Sequence, residues 1–235
     1  MPARLRNVTV ARLGASAVVL IALGLTLTDT SGLVPERLID LLGYYTPQAN
    51  FLAVVVWVAS AIAATRPTSA RMGTALEYGR AFAAANLVLV AIIYWSMIAP
   101  FGLEAGPQLV IVMVISHIMT PLYATVDYLV VGDAKPLPLR GWWWFFAIPT
   151  AWIATAVARA YSGGWIPYDY LDPARGMRAI ARTVSWHGVL LAILTIVVLR
   201  VRTWRSVPHA WPSQGPPDAP APRDTAPLDG DRAVA

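Results

Sequence analysis

Six long apolar runs, near residues 9–29, 46–65, 81–99, 108–131, 142–160 and 183–200, constrain this chain more than any other feature. About 20 helical residues are needed to cross roughly 30 Å of hydrocarbon, and each run is close to that length. The second reaches it only if the segment YYTPQAN, residues 44–50, is counted with the FLAVVVWVASAIAA that follows. Of the 235 residues, 57% are apolar and 13% charged, and the mean hydropathy is +0.56. A soluble core of this size cannot bury that much apolar surface, so the bilayer is the expected solvent. In lipid the backbone must satisfy its own hydrogen bonds, which selects helices. The expected fold is therefore an all-α integral membrane protein with six transmembrane helices in residues 1–205. The Pro- and Asp-rich stretch 206–235 lacks aliphatic periodicity and reads as a disordered tail.

Basic residues fix the expected orientation. Arg4, Arg6, Arg12, Arg66, Arg71, Arg80, Lys135, Arg140, Arg200, Arg202 and Arg205 flank the runs on one side. Arg37, Arg159, Arg175, Arg178 and Arg182 flank them on the other. Eleven against five puts both termini in the cytoplasm of a multi-pass cell-membrane protein. The first run has no small-x-small cleavage pattern after it and reads as a retained signal anchor. The run Trp142-Trp143-Trp144 then lies at the inner interface as an aromatic belt. Basic residues scattered beside apolar runs serve topology and lipid headgroups, so the expected partners are the bilayer and a lipid substrate, not nucleic acid. There is no cysteine, which excludes disulfides, thiolate catalysis and Cys-ligated metals. No cofactor or metal is expected.

Two outer loops are distinctive. SGLVPERLIDLLG, residues 31–43, has Pro35 suited to a first helical turn and apolar residues to one side, which predicts a short interfacial helix. YSGGWIPYDYLDP, residues 161–173, combines Gly163-Gly164, Pro167 and Pro173 with four aromatic rings, and predicts a rigid loop able to cover a cavity.

Polar residues inside a span cost free energy and are where function is sought first. They are few: Asn50 in the second run, Asn86 in the third, His117 and Asp127 in the fourth, and His187 in the sixth. Pro121, four residues after His117, removes the N–H that would bond the His117 carbonyl. A bend there leaves a free carbonyl beside the imidazole and room for water. Asp127 lies about 15 Å beyond His117 along the helix at 1.5 Å per residue, too far to orient it. Thr46 has two readings. As an N-cap before Pro47 it only begins a helix. As a nucleophile it needs a base, for which histidine is suited. In that case the N–H groups of Gln48 and Ala49 at the helix start would hold an oxyanion. Asn50, one turn along, would orient the substrate carbonyl.

Three stretches, YYTPQAN, HIMTPLYATVDY and YDYLDP, taken in this order, resemble the androgen-induced and androgen-dependent TFPI-regulating protein family. The resemblance covers the six-span body, roughly residues 9–200. It implies six spans with cytoplasmic termini and an intramembrane threonine hydrolase of fatty acid esters of hydroxy fatty acids. It also implies the nucleophile role for Thr46 and the base role for His117. Position 49 is Ala where a Ser is expected, so no hydroxyl is available there.

The expected activity is hydrolysis of a lipid carboxylic ester, with Thr46 and His117 catalytic and Gln48, Asn50, His187, Trp165 and Tyr168 lining the substrate. The alternatives are a non-catalytic membrane protein or transporter, and a bis-histidine haem protein using His117 and His187 as axial ligands. No inverted repeat or charged pathway favours transport.

Overall fold

A computed structural model describes residues 3–28, 43–66, 68–101, 109–131 and 137–201. The interfacial helix expected at 31–43, Lys135 and the tail expected at 206–235 lie essentially outside these residues. The described residues form six helices: α1 Ala3–Thr28, α2 Tyr45–Ala63, α3 Ala70–Ile98, α4 Val110–Val130, α5 Trp144–Tyr161 and α6 Met177–Arg200. Two of them change pitch on the way. In α3 the last turn, Tyr94–Ile98, is a π-turn, and in α4 the segment Ile115–Met119 is a second one.

Five of the six helices are long and apolar enough to cross a membrane, namely all but α5. Helix α5 has 18 residues and carries Pro149 inside it and Arg159 in its last turn. Large apolar side chains such as Val10, Ile21, Ile111, Leu122, Ile193 and Ile196 point outward, as lipid-facing positions do and as the surface of a soluble monomer rarely does.

Helix bounds differ from the apolar runs chiefly at the N-terminal ends. Helix α3 begins at residue 70, not 81, because the Ser69 hydroxyl caps it by accepting from the Met72 N–H at 3.3 Å. Helix α6 begins at 177, not 183. Gly176, at φ +80°, makes the left-handed step that turns the loop into the helix. Hydropathy marks only the hydrocarbon-length part of a helix, whereas capping and turn residues mark its true start.

Helix α3 is the centre of the bundle and packs against α2, α4 and α6, while α1 lies on α2 and α4. Ala81, Ala83, Ala84 and Ala85 are buried on α3 and let its neighbours approach closely. Trp57, Leu87, Tyr128 and Leu191 fill the space between helices.

The bundle also encloses four charges. Arg12, Arg80, Asp127 and Glu77 are 0, 1, 4 and 7% exposed. Arg12 Nε meets Asp127 Oδ1 at 2.9 Å, and Arg80 Nε meets Asp127 Oδ2 at 2.8 Å. Arg80 also reaches Glu77 at 2.8 Å, the Val131 carbonyl at 2.7 Å and the Asp127 carbonyl. Two positive and two negative groups give a neutral cluster that ties α1, α3 and α4 together. This corrects the sequence reading of Arg12 and Arg80 as interfacial topology charges. Leaving them out still leaves nine basic residues against five, so the expected orientation is unaltered.

Breaking a buried pair by removing one partner strands a charge, at a cost of about 3–5 kcal/mol. Asp127→Asn removes the carboxylate that Arg12 pairs with, leaves Arg80 with Glu77, and lowers the melting temperature in detergent accordingly. Arg140→Gln, at an exposed position, leaves it unchanged. A wild-type melting temperature for Asp127→Asn excludes the cluster as a structural tie.

Candidate functional site

Helix α2 begins at Tyr45, with Tyr44 in the extended N-cap conformation and no side-chain cap. Thr46 is thus the second helical residue and not the cap, a correction to the bland reading of Thr46-Pro47. The oxyanion expectation shifts with it. The N–H groups of Gln48 and Ala49 fall where an α-helix uses them internally, and the first-turn donors are those of Tyr45 and Thr46. This turn is clamped on three sides. Trp152 Nε1–H donates to the Gly43 carbonyl at 2.9 Å, the Tyr45 hydroxyl donates to Asn86 Oδ1 at 2.6 Å, and Asn50 Nδ2 donates to the Thr46 carbonyl at 2.9 Å.

The Thr46 hydroxyl, freed from capping, faces His117 Nε2 at 3.5 Å. Sequence position alone puts Thr46 near a helix end and His117 in mid-span, yet they meet. Pro121 is part of the reason. It denies the His117 carbonyl its usual donor, and α4 widens into the π-turn Ile115–Met119 just before it. The freed carbonyl is not left to water, as the sequence suggested. The Trp95 indole N–H, from the π-turn of α3, donates to it at 3.2 Å. The neighbouring Tyr94 ring stacks on the imidazole, with centroids 3.7 Å apart and planes 19° apart. Two π-turns therefore face each other and hold the histidine between them.

The hydrogen bonds fix the tautomer. His117 Nδ1 lies 3.2 Å from the Met113 carbonyl. A carbonyl can only accept, so Nδ1 carries the proton and Nε2 presents a bare lone pair to the Thr46 hydroxyl. That is the protonation state a general base requires. Among the described residues no carboxylate contacts the ring, and Asp127 is committed to Arg12 and Arg80.

Thr46 also opens onto a cavity of about 120 Å³, lined mainly by apolar residues of α3, α5 and α6. Its polar lining includes the Tyr168 and Tyr170 rings and His187. His187 is buried, with Nε2 3.3 Å from Met97 Sδ, and Tyr170 packs edge-on against it at 5.3 Å. The loop before α6 supplies both tyrosines. Burial pushes the Tyr168 hydroxyl pKa up, against the opposing pull of hydrogen bonds from the Thr46 side chain and from the Tyr45 and Thr46 backbone. Burial, and then the nearby Tyr168, raise that of Tyr170.

The remaining expected residues lie apart from this cavity. Gln48 and Trp165 line a separate outer groove of about 420 Å³ with Trp152 and Arg159. Trp165 there packs edge-on against Tyr44 at 4.7 Å and beneath the Arg159 guanidinium at 5.5 Å. Asn50 is fully buried and spends its amide N–H on the Thr46 carbonyl. Of the sequence-derived set, Thr46, Tyr168 and His187 line one cavity and His117 meets Thr46 beside it, while Gln48 and Trp165 line the other groove and Asn50 is buried behind Thr46. Tyr94, Trp95 and Met113 escaped sequence reading, since each looks like an ordinary span residue. Among the described residues, no group of three or more His, Asp or Glu is arranged to hold a metal. No protein-family model, curated protein or solved structure matches this chain.

The tautomer is directly measurable. Nitrogen-15 NMR of labelled histidine, assigned with His187→Gln and His209→Gln, is expected to give a protonated Nδ1 and bare Nε2 for His117. The opposite tautomer means that the Met113 hydrogen bond is not made.

Proposed function

We propose that this chain is a multi-pass membrane hydrolase of lipid carboxylic esters, with Thr46 as nucleophile and His117 as general base. The observation that carries the reading is the contact of the Thr46 hydroxyl with the bare Nε2 of His117, beside an apolar cavity. In the first step Thr46 Oγ attacks the ester carbonyl carbon and its proton passes to His117 Nε2. The carbonyl electron pair moves onto oxygen, where the Tyr45 and Thr46 N–H groups at the start of α2, which face the Tyr168 hydroxyl at rest, turn to stabilise it. The intermediate collapses, the C–O bond to the alcohol breaks, and His117 returns the proton to the departing oxygen. A water molecule then attacks the acyl-threonine with the same base, releasing the acid and restoring Thr46.

The resemblance in YYTPQAN, HIMTPLYATVDY and YDYLDP supports the same two residues and points to fatty acid esters of hydroxy fatty acids as the substrate class. The cavity accommodates part of an acyl chain. His187 faces it as a polar group able to meet substrate oxygen. Six spans with cytoplasmic termini in the cell membrane complete the proposal, α5 being the shortest of the six. The haem reading is less favoured, because both His117 nitrogens are engaged by Met113 and Thr46, its face is covered by Tyr94, and His187 Nε2 is on Met97. A non-catalytic protein or transporter gives no reason for a base-ready histidine opposite an uncapping threonine.

Thr46→Ala is expected to abolish ester hydrolysis and fluorophosphonate labelling while the protein stays folded in detergent. His117→Ala should lower activity by a similar factor, and the double variant should be little worse than either, since the pair acts as a unit. Thr46→Ser should retain some activity. Wild-type hydrolysis by folded Thr46→Ala refutes the nucleophile. For topology, a single cysteine at position 165 in the cysteine-free chain is expected to react only from the outer side of the membrane. Reaction from the cytoplasmic side overturns the orientation.

A further inference from the structure

Trp152 of α5 stands between two hollows. On one side is the cavity that Thr46 opens onto, about 120 Å³. On the other is the groove of about 420 Å³ beside the start of α2. Trp152 lines both, and its indole N–H, donated to the Gly43 carbonyl at 2.9 Å, keeps it level with the first turn of α2. The other α5 residues divide by helical period. Phe146, Pro149, Thr150 and Ile153 face the cavity. Ala147, Ala151, Thr155 and Arg159, spaced four apart, face the groove. Ala151 and Thr155 are exposed, so the groove opens outward from the bundle.

The inner cavity is too small for a whole lipid ester. A hollow of roughly 150 Å³ takes one benzene, and this one, at about 120 Å³, takes only the first carbons of one arm. The second arm needs other space, and the groove adjoins the cavity across a single indole. That groove is apolar beside Trp152 and cationic at its outer end. Arg159 lies seven residues beyond Trp152, about 10 Å along the helix at 1.5 Å per residue. Its guanidinium sits over the Trp165 ring, 5.5 Å from the centroid. The following loop is shaped around this side chain. The Gly164 N–H donates to the Arg159 carbonyl at 2.9 Å, and a Cβ on Gly164 would come within 2.7 Å of Arg159 Cγ. Five N–H donors let a guanidinium serve an incoming anion beside the contacts it already makes.

We propose that the groove between α2 and α5 is the subsite for the alcohol arm of the ester, and that Arg159 binds a carboxylate at the end of that arm. The inference rests on the reading of Thr46 and His117 above. The acyl arm enters the cavity, the ester lies at Thr46, and Trp152 keeps the two arms apart. About 10 Å of apolar wall between Trp152 and Arg159 calls for hydrocarbon between ester and anion. A glycerol phosphate is too short and too polar to cover it, whereas a hydroxy acid esterified partway along its chain fits. Arg159 touches no reacting atom, so it selects and positions the substrate and leaves the chemical step to Thr46 and His117. An arginine that only marked the outer interface would be indifferent to what the substrate carries.

Three probes with one acyl group separate these roles, using the full-length protein in detergent. They are the octanoyl ester of a mid-chain hydroxystearate, the methyl ester of that compound, and p-nitrophenyl octanoate. Arg159→Gln should raise KM for the free acid about 10-fold, the low end for losing a hydrogen bond to a charged group, with kcat unchanged. The methyl ester and p-nitrophenyl octanoate should keep their wild-type KM. Arg159→Lys keeps the charge without the planar fork and should recover part of the loss. Ala151→Trp fills the groove and should raise KM for both stearate compounds. Normal turnover of p-nitrophenyl octanoate, which has no long second arm, then reports an intact catalytic pair. Comparing variant with wild type on each probe cancels the unequal partition of acid and ester into micelles. Equal KM changes for acid and methyl ester in Arg159→Gln mean that Arg159 holds a bilayer phosphate or braces the loop, and they overturn the anchor. No change in either also overturns it, and unchanged KM values in Ala151→Trp overturn the groove. All three results leave the threonine hydrolase intact, whereas wild-type hydrolysis by folded Thr46→Ala removes both readings together.

Discussion

Asp127 holds two arginines from two other helices, and the placement of His117 on α4 depends on that contact. A carboxylate within a bilayer-length helix is tolerated only when its charge is matched and its lone pairs are used. Arg12 from α1 and Arg80 from α3 do both, at 2.9 and 2.8 Å, and Glu77 balances the second arginine. Because ion pairs of this kind have narrow geometry, they fix the rotation and height of α4 against α1 and α3. His117 is on the same helix as Asp127, about 15 Å away at 1.5 Å per residue. Holding one end of α4 thereby restricts where the imidazole at the other end can go.

The second determinant is the pair of π-turns. A regular α-helix through His117 and Pro121 would leave one carbonyl without a donor in an apolar setting, a cost of about 1–3 kcal/mol or more. Widening α4 exposes that carbonyl toward α3, whose own π-turn brings Trp95 to it and Tyr94 onto the imidazole face. The same irregularity that repairs the backbone thus orients the histidine. π-turns concentrate at functional sites in other helices for this kind of reason: an extra residue per turn re-aims a side chain that a regular helix would keep in line.

Much of this was legible in the sequence, and the failures have physical causes. Apolar runs gave the helices, because lipid leaves the backbone no alternative, but they missed the early start of α3 at Ser69 and of α6 after Gly176. Hydropathy is blind to capping. Pro121 flagged the disturbance in α4 correctly, but not its repair by Trp95, since nothing in a single sequence tells which ring on which helix will arrive. Thr46 and His117 could be paired from their chemistry. Their 3.5 Å contact depends on the tilt of α2 and the pitch of α4, which emerge only from packing. Arg12 and Arg80 were misjudged because basic residues near span ends are usually interfacial. The available clue was Asp127 itself: an acid inside a span demands a cation, and these two sit at the matching ends of neighbouring runs.

The use of a backbone carbonyl, and not a carboxylate, to orient His117 fits this distribution of charge. An acid beside the imidazole would stabilise the imidazolium that the proposed attack forms, but in the resting protein it would be a third buried anion, one without a cation. A carbonyl at Met113 fixes the same tautomer with no net charge to bury. For the proposed reaction the consequence would be a weaker base, so that the oxyanion would need stabilisation from elsewhere in the site. In the proposed hydrolysis the first-turn N–H groups of α2 would supply it as neutral donors. Each of these is strengthened by the low dielectric that makes an unpaired carboxylate untenable. On the proposed reading, a chain that gathers Arg12, Arg80, Glu77 and Asp127 into one compensated cluster would run acid–base chemistry elsewhere in the same bundle with neutral groups.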